Sequence, residues 1–257
     1  MSPTPDLTGK CAIVTGAAHG FGRAICIELA QQGAQVWALD IVGDELAETA
    51  RLCVQAGGRC QARVVDITDA DAVQAVVQEA CLAHEQVHIL VNNAGGVLGQ
   101  VGQPLEAVTP AQWNAILAIN LSAAFHLCQA VAPGMKAARA GRIVNISSGA
   151  GLGISLTGIQ AYAAAKAALI SLTRQLGHEL GAWDITVNCI APGFVRSNPN
   201  TERQWQALGA AGQKALLDNI ALKRLGTAQD IAHGVVFFVG ERAGWISGQT
   251  ISIDGGK

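Results

Sequence analysis

Short apolar runs alternate along this chain with longer segments whose apolar positions recur at helical spacing. The first run, Cys11-Ala-Ile-Val-Thr15, is apolar almost throughout and closes on Gly16. A continuous run of that kind predicts a strand buried on both faces. A helical segment from about Gly22 to Gln32 stops at Gly33, and Gln35 to Leu39 reads as a second strand ending at Asp40. Asp44 to Ala56 is helical and stops at Gly57-Gly58. Arg63 to Val65 and Ile89 to Val91 are strands on either side of a helix near Asp69 to His84. A long helix is expected from Pro110, a favoured first-turn residue, to about Ala138, with Pro133 kinking or ending it locally. Then follow a strand at Arg142 to Ile146, an alanine-rich helix within Gly158 to Gly181, and a strand at Ile185 to Ile190. Gly193 to Thr227 is irregular with short helical pieces, Ala228 to Val239 is a helix, and Thr250 to Ile253 is the last strand. Regular alternation of strand and helix predicts one doubly wound α/β domain over residues 1–257, a parallel seven-stranded sheet flanked by helices on both faces.

Composition narrows the possibilities. Half the residues are hydrophobic, 14% are charged, and 17 Lys plus Arg face 19 Asp plus Glu for a net charge of −2. That balance offers neither nucleic acid nor an anionic membrane an electrostatic reason to bind. The seven cysteines are scattered, with no CxxC pair and no metal-ligand spacing to histidine, so free thiols in a reducing compartment and no metal are expected. Met1 to Lys10 lacks the basic-then-apolar pattern of a signal peptide. No uncharged apolar run is read as long enough to span a membrane, and a soluble, cytoplasmic protein is expected.

Thr15-Gly-Ala-Ala-His-Gly-Phe-Gly22 follows the first strand directly. Glycines let such a turn approach a pyrophosphate, and the helix behind it directs free N–H groups and its positive dipole end at the phosphates. The spacing is G-x-x-x-G-x-G rather than G-x-G-x-x-G within the expected Rossmann-type domain, and glycine is common in any tight turn. Asp40, at the end of the second strand, can accept both hydroxyls of an adenosine ribose and would repel a 2′-phosphate, so NAD is expected over NADP. Its plain alternative is a capping or loop aspartate. His19 could assist a 2′-phosphate only when protonated. Asp66 ends the third strand and either bonds the adenine amine or caps the next helix.

Tyr162-Ala-Ala-Ala-Lys166 places a phenol and an ammonium one helical turn apart, and Tyr162 is the only tyrosine. An ordinary phenol, with a pKa of about 10, is a poor base. A lysine cation about 4 Å away at an effective dielectric near 20 favours the phenolate by roughly 4 kcal/mol, which brings the tyrosine toward neutrality. The alternative is a surface tyrosine with a lysine beside it. Ser147 and Ser148 end the fifth strand; Ser147 is expected to point into the sheet and Ser148 to hold the substrate oxygen. Asn120 either holds a proton-relaying water or bonds a nearby backbone carbonyl.

Taken in order, TGAAHGFG, Asp40, Asp66, NNAG, Asn120, ISS, YAAAK and APG resemble the short-chain dehydrogenase/reductase family, from Thr15 nearly to the chain's end. The resemblance implies Ser148, Tyr162 and Lys166 as catalytic residues, with Asn120 completing a tetrad. Lys166 would also hold the nicotinamide ribose. It implies that Thr15, Gly16, His19, Gly20, Phe21 and Gly22 wrap the pyrophosphate, and that Asp40 and Ile41, Asp66 and Ile67, and Asn93, Ala94 and Gly95 line the cofactor. Pro192, Gly193 and Val195 would flank the nicotinamide, with Ser197 where the family usually has a threonine. The stretch between Ser148 and Tyr162 is one residue longer than in many relatives. A homotetramer is implied, through the Tyr162 helix and the last strand.

Residues 194–225, with Val97 to Val101 and Gly149 to Ile154, should shape the substrate pocket. Phe194, Trp205, Leu152 and Ile154 would be its walls and Gln160 a polar contact. Arg196 and Arg203 either anchor an anionic group or are solvated loop residues. Three functions compete: an NAD-dependent alcohol dehydrogenase acting on a small secondary alcohol or ketone, an NADPH-dependent reductase of 3-oxoacyl thioesters, and a non-catalytic NAD sensor.

Overall fold

The structure, a computed structural model, describes residues 6–257; the reading of Met1 to Pro5 therefore lies outside the described residues. Seven strands form one sheet: β1 (Cys11–Thr15), β2 (Gln35–Asp40), β3 (Arg59–Val64), β4 (Ile89–Asn92), β5 (Gly141–Ile146), β6 (Ile185–Pro192) and β7 (Thr250–Ile253). They lie in the order β3-β2-β1-β4-β5-β6-β7, and every pairing is parallel. The helices are α1 (Gly20–Gln31), α2 (Gly43–Gln55), α3 (Ala70–His84), α4 (Pro110–Leu117), α5 (Ala123–Ala138), α6 (Gln160–Leu180), α7 (Pro199–Ala207), α8 (Gly209–Asp218) and α9 (Ala228–Val239).

Alternate residues of each strand feed two cores, because successive side chains of a strand point to opposite faces. Ala12 and Val14 pack with α1, α2 and α9 on one face, while Cys11 and Ile13 pack with α3 and α5 on the other. All seven cysteines are free thiols.

Three expectations need correction. β3 begins at Arg59, before the Arg63 expected from the apolar pattern. It is an edge strand with polar and apolar residues in turn, so a search for a continuous apolar run finds only its end. Pro133 does not stop α5, which continues to Ala138. Pro133 and Gln129 are both exposed, so the carbonyl that loses its partner faces water. The irregularity of this long helix sits earlier, as a π-turn over Ala118–Ser122. Finally, Pro110–Ala138 is a helical run of 29 residues, long and apolar enough by composition to cross a membrane, contrary to the sequence expectation. Ala123, Leu127, Val131 and Met135 of this run are packed into the core beneath the sheet.

Candidate active site

β1 and β4 are neighbours at the point where strand order reverses, and a cleft of about 1260 Å³ opens there at the carboxyl ends of the strands. The turn from β1 into α1 forms one end. Gly16 and Gly20 have φ of +64° and +58°, which disfavours any other residue. A Cβ on Gly16 would lie 2.8 Å from Ala94 Cα, and one on Gly22 would lie 2.0 Å from the Gly16 carbonyl oxygen. Gly22→Ala is therefore expected to open the turn. The cost is about 1–3 kcal/mol of overpacking, read as a lower melting temperature. An unchanged melt would refute this reading of Gly22.

α1 starts with no side-chain cap from His19 and no acidic residue in its first turn. Its leading N–H groups and positive dipole end are thus available to an anion. The donors and the glycine cradle both fit a dinucleotide pyrophosphate. His19, Gly20 and Phe21 line the cleft with Gly16. Thr15 and Gly22, expected to touch the pyrophosphate, do not line it. The buried Thr15 hydroxyl accepts from Asn93 and Ala94 N–H at 3.0 Å each, and Asn93 Nδ2 donates to the Thr15 and Gly16 carbonyls at 2.9 and 3.1 Å. This lattice pins the glycine turn to the Asn93-Ala94-Gly95 turn; Thr15 and Gly22 position the loop from beneath.

Asp40 lines the cleft at the end of β2 beside Ile41. Its Oδ1 accepts from Ile41 and Val42 N–H at 2.7 and 3.1 Å, and Oδ2 accepts from Ala18 N–H at 3.0 Å. Asp40 thus orders the loop into α2, as its plainer reading expects, and it lines the cleft at the place the ribose reading requires. Asp66 and Ile67 line the same end. Asp69, not Asp66, caps α3; Asp66 accepts from Thr68 N–H and hydroxyl, which hold its carboxyl below the ordinary range.

The other end gathers Ser148, Tyr162 and Lys166. Ser147 points inward as expected, its hydroxyl donating to the Lys166 carbonyl at 2.8 Å. The Ser148 hydroxyl accepts from Ala150 N–H. Lys166 is buried and its Nζ donates to the Ile146 carbonyl at 2.9 Å. Burial brings its pKa down to about 8. The ammonium lies 5.9 Å from the Tyr162 ring centroid. The expectation of a phenol drawn toward neutrality is not met by the chain's own groups. Burial pushes Tyr162 above its ordinary value, and the Ser148 hydroxyl pulls it back by less. The lysine ammonium turns to the Ile146 carbonyl at the end of β5 and contributes nothing resolved to the Tyr162 shift.

Asn120, within the π-turn, is buried and does not line the cleft. Its Nδ2 donates to the Gly96 and Ile116 carbonyls at 2.8 and 2.9 Å, and its Oδ1 accepts from Gly96 N–H at 2.9 Å. The backbone-bonding alternative is thus the observed one. Gly95 separates Asn120 from Lys166: a Cβ there would lie 2.5 Å from Asn120 Oδ1 and 3.1 Å from Lys166 Nζ.

Pro192, Gly193, Val195 and Ser197 line the cleft with Phe194, Leu152 and Ile154. Trp205 and Gln160, expected there, do not. Trp205 lies against Phe194 and the Arg196 guanidinium, and Gln160 donates to the Gln103 carbonyl. Arg196 makes a two-pronged pair with Glu202 at 2.8 and 3.0 Å, and Arg203 bonds Asn200. Both arginines are exposed, as their solvated reading expects, although Arg203 stands in α7 rather than in a loop. Leu98 and Gln204 line the cleft from within the segments expected to shape it, whereas sequence reasoning missed Leu156, Asp254 and Lys257. Leu156 stands just beyond the expected Gly149 to Ile154, and Asp254 and Lys257 arrive by the pairing of β7 with β6, which leaves no local signal.

The chain is 35% identical to a cyclohexanol dehydrogenase of Rhodococcus sp. (strain TK6) over 273 residues, covering 100% of this chain and 98% of the relative. It is 36% identical to a 3-oxoacyl-[acyl-carrier-protein] reductase of Escherichia coli (strain K12), covering 98% of each. The solved structure of NAD+-bound xylitol dehydrogenase superposes with a TM-score of 0.90 at 28% identity, over 97% of this chain and 99% of that one. The family model described as short chain dehydrogenase matches residues 10–207. With its parallel sheet, its glycine turn and its serine, tyrosine and lysine gathered at one cleft, this chain belongs to the short-chain dehydrogenase/reductase family of oxidoreductases acting on CH–OH groups.

Proposed function

We propose that the protein is an NAD-dependent dehydrogenase of small secondary alcohols and the corresponding ketones. The observation that carries the cofactor preference is Asp40. Its carboxylate faces the cleft, held by three backbone N–H groups. A fixed negative charge there accepts ribose hydroxyls and opposes a 2′-phosphate. The nearby Arg23 offers that phosphate no counterweight: its guanidinium is engaged by the Ala18 and Glu45 carbonyls and the Thr49 hydroxyl.

The bound nicotinamide cofactor supplies or accepts the hydride. In this reading Gly16, His19, Gly20 and Phe21 receive its pyrophosphate, while Asp40, Ile41, Asp66 and Ile67 receive the adenosine. Asn93 to Gly95, Pro192, Gly193, Val195 and Ser197 enclose the nicotinamide end. Ser148 orients the substrate oxygen, Tyr162 exchanges the proton with that oxygen, and Lys166 supports both from the floor of the cleft. The same proposal includes a homotetramer: Ile251 on β7, the edge strand, and Trp245 just before it are exposed, and an open parallel edge invites a partner. Seven free thiols favour a reducing, cytoplasmic setting.

Titration with NADH and NADPH, followed by nicotinamide fluorescence, tests the reading. NADH is expected to bind at least about tenfold more tightly, a difference of about 1.4 kcal/mol. Asp40→Asn keeps an acceptor for the Ala18 N–H but removes the charge, and should erase the preference. Equal or tighter NADPH binding by the wild type would overturn the NAD assignment and favour a thioester reductase, with His19 the next residue to replace.

A further inference from the structure

The loop between Ser148 and Tyr162 has its polarity reversed. In Leu152-Gly-Ile-Ser-Leu-Thr157 the polar side chains turn inward upon the loop itself. The Ser155 and Thr157 hydroxyls bond each other at 2.8 Å and accept from the Thr157 and Ile159 N–H groups, at 3.2 Å each. The aliphatic side chains are left outside: Leu152 is 55% exposed, Leu156 67% and Ile154 fully exposed. All three line the cleft that holds Ser148 and Tyr162, as does Leu98, 57% exposed, from the opposite loop. Large aliphatic side chains grouped in this way mark a surface that a ligand covers. The arginines of the facing segment are engaged by Glu202 and Asn200, so neither is presented to an anionic group.

We propose that residues 152–156 form a specificity element that covers an uncharged, apolar substituent of the substrate, a ring or branched alkyl group, beside the carbinol carbon. The proposal rests on the dehydrogenase reading above and narrows it. The occupant is the substrate itself, because the exposed side chains are continuous with the site of proton transfer. Against these side chains an anionic or polyhydroxylated chain would lose hydration, and none of the four aliphatic groups offers it a hydrogen bond.

The test is kcat/KM with NAD over a series from 2-propanol through cyclopentanol and cyclohexanol to methyl-substituted cyclohexanols, beside xylitol and 3-hydroxybutyrate. Each added methylene covered by the loop is expected to raise kcat/KM about fourfold. The polyol and the hydroxy acid should fall at least tenfold below the cyclic alcohols. Ile154→Ser with Leu156→Ser should flatten the series, lowering the largest alcohols about tenfold relative to 2-propanol. A flat wild-type series, preference for the polyol or hydroxy acid, or an unflattened series in the double variant would overturn the inference while leaving the dehydrogenase reading standing. Light scattering on the same variant separates a surface between protein copies: a changed assembly state with an unaltered series would also overturn it. No turnover of any substrate in either direction, with NADH bound, would take down the dehydrogenase reading and this inference together.

Discussion

Tyr162→Phe is expected to lower kcat about 10³-fold while leaving NADH affinity within about twofold, since a positioned proton-transfer group contributes roughly 10²–10⁴. The phenol is the group lining the cleft that stands opposite the Ser148 hydroxyl. Its pKa lies above the ordinary value, so at neutral pH Tyr162 carries its proton, the form that the proposed reduction of a carbonyl oxygen uses. The reverse reaction needs the phenolate, whose fraction rises about tenfold per pH unit below the pKa. Alcohol oxidation should therefore climb steadily between pH 7 and 9 while ketone reduction stays nearly level. Loss of NADH binding in Tyr162→Phe would instead mean a damaged cleft. Retained turnover would remove Tyr162 from the chemistry altogether.

Lys166→Met should abolish turnover and yet make the protein more stable. Lys166 is buried, and its pKa of about 8 means that folding confines an ammonium where burial opposes it. The gap from the ordinary 10.5 to about 8 corresponds to a cost on the order of 3 kcal/mol at neutral pH. Leaving the Ile146 carbonyl without Nζ returns about 1–2 kcal/mol of that. A net gain of about 1–2 kcal/mol remains, and the melting temperature at pH 7 should rise by several degrees. The pH dependence has a definite sign. Below about pH 8 both folded and unfolded chains hold the proton, and the folding cost is fully present. Between about 8 and 10.5 the folded chain has released a proton that the unfolded one keeps, so wild-type stability gains with rising pH. The advantage of Lys166→Met should shrink across that window. Thermal melts of both proteins at pH 7 and pH 10 decide it: a lower melting temperature for the variant at pH 7, or an unchanged gap at pH 10, would refute the account. A chain that keeps so unfavourable a lysine trades stability for function.

The order of elements, the parallel sheet and most of the cleft-lining residues were legible along the chain. Each depends on a local signal: a buried strand is a continuous apolar run, a phosphate-binding turn needs glycine, and a strand end in this fold faces the ligand crevice. Asp40, Asn93 and Ser148 could be placed for that reason, since position in a strand determines position on the sheet edge. The edge strand β3 was read short because its exposure breaks the apolar run. What tertiary structure decided was the partner of each polar group. Thr15, Gly22 and Asn120 occur within recognisable motifs, yet they lie beneath the cleft, bonded to or packed against backbone brought from other segments. Spacing placed Lys166 one turn from Tyr162, but the direction of its ammonium depends on the Ile146 carbonyl, and the pKa of each on burial by distant elements. Helical and strand periodicity are properties of neighbouring residues. Desolvation and hydrogen-bond partnership belong to the packed whole, and only the fold sets them.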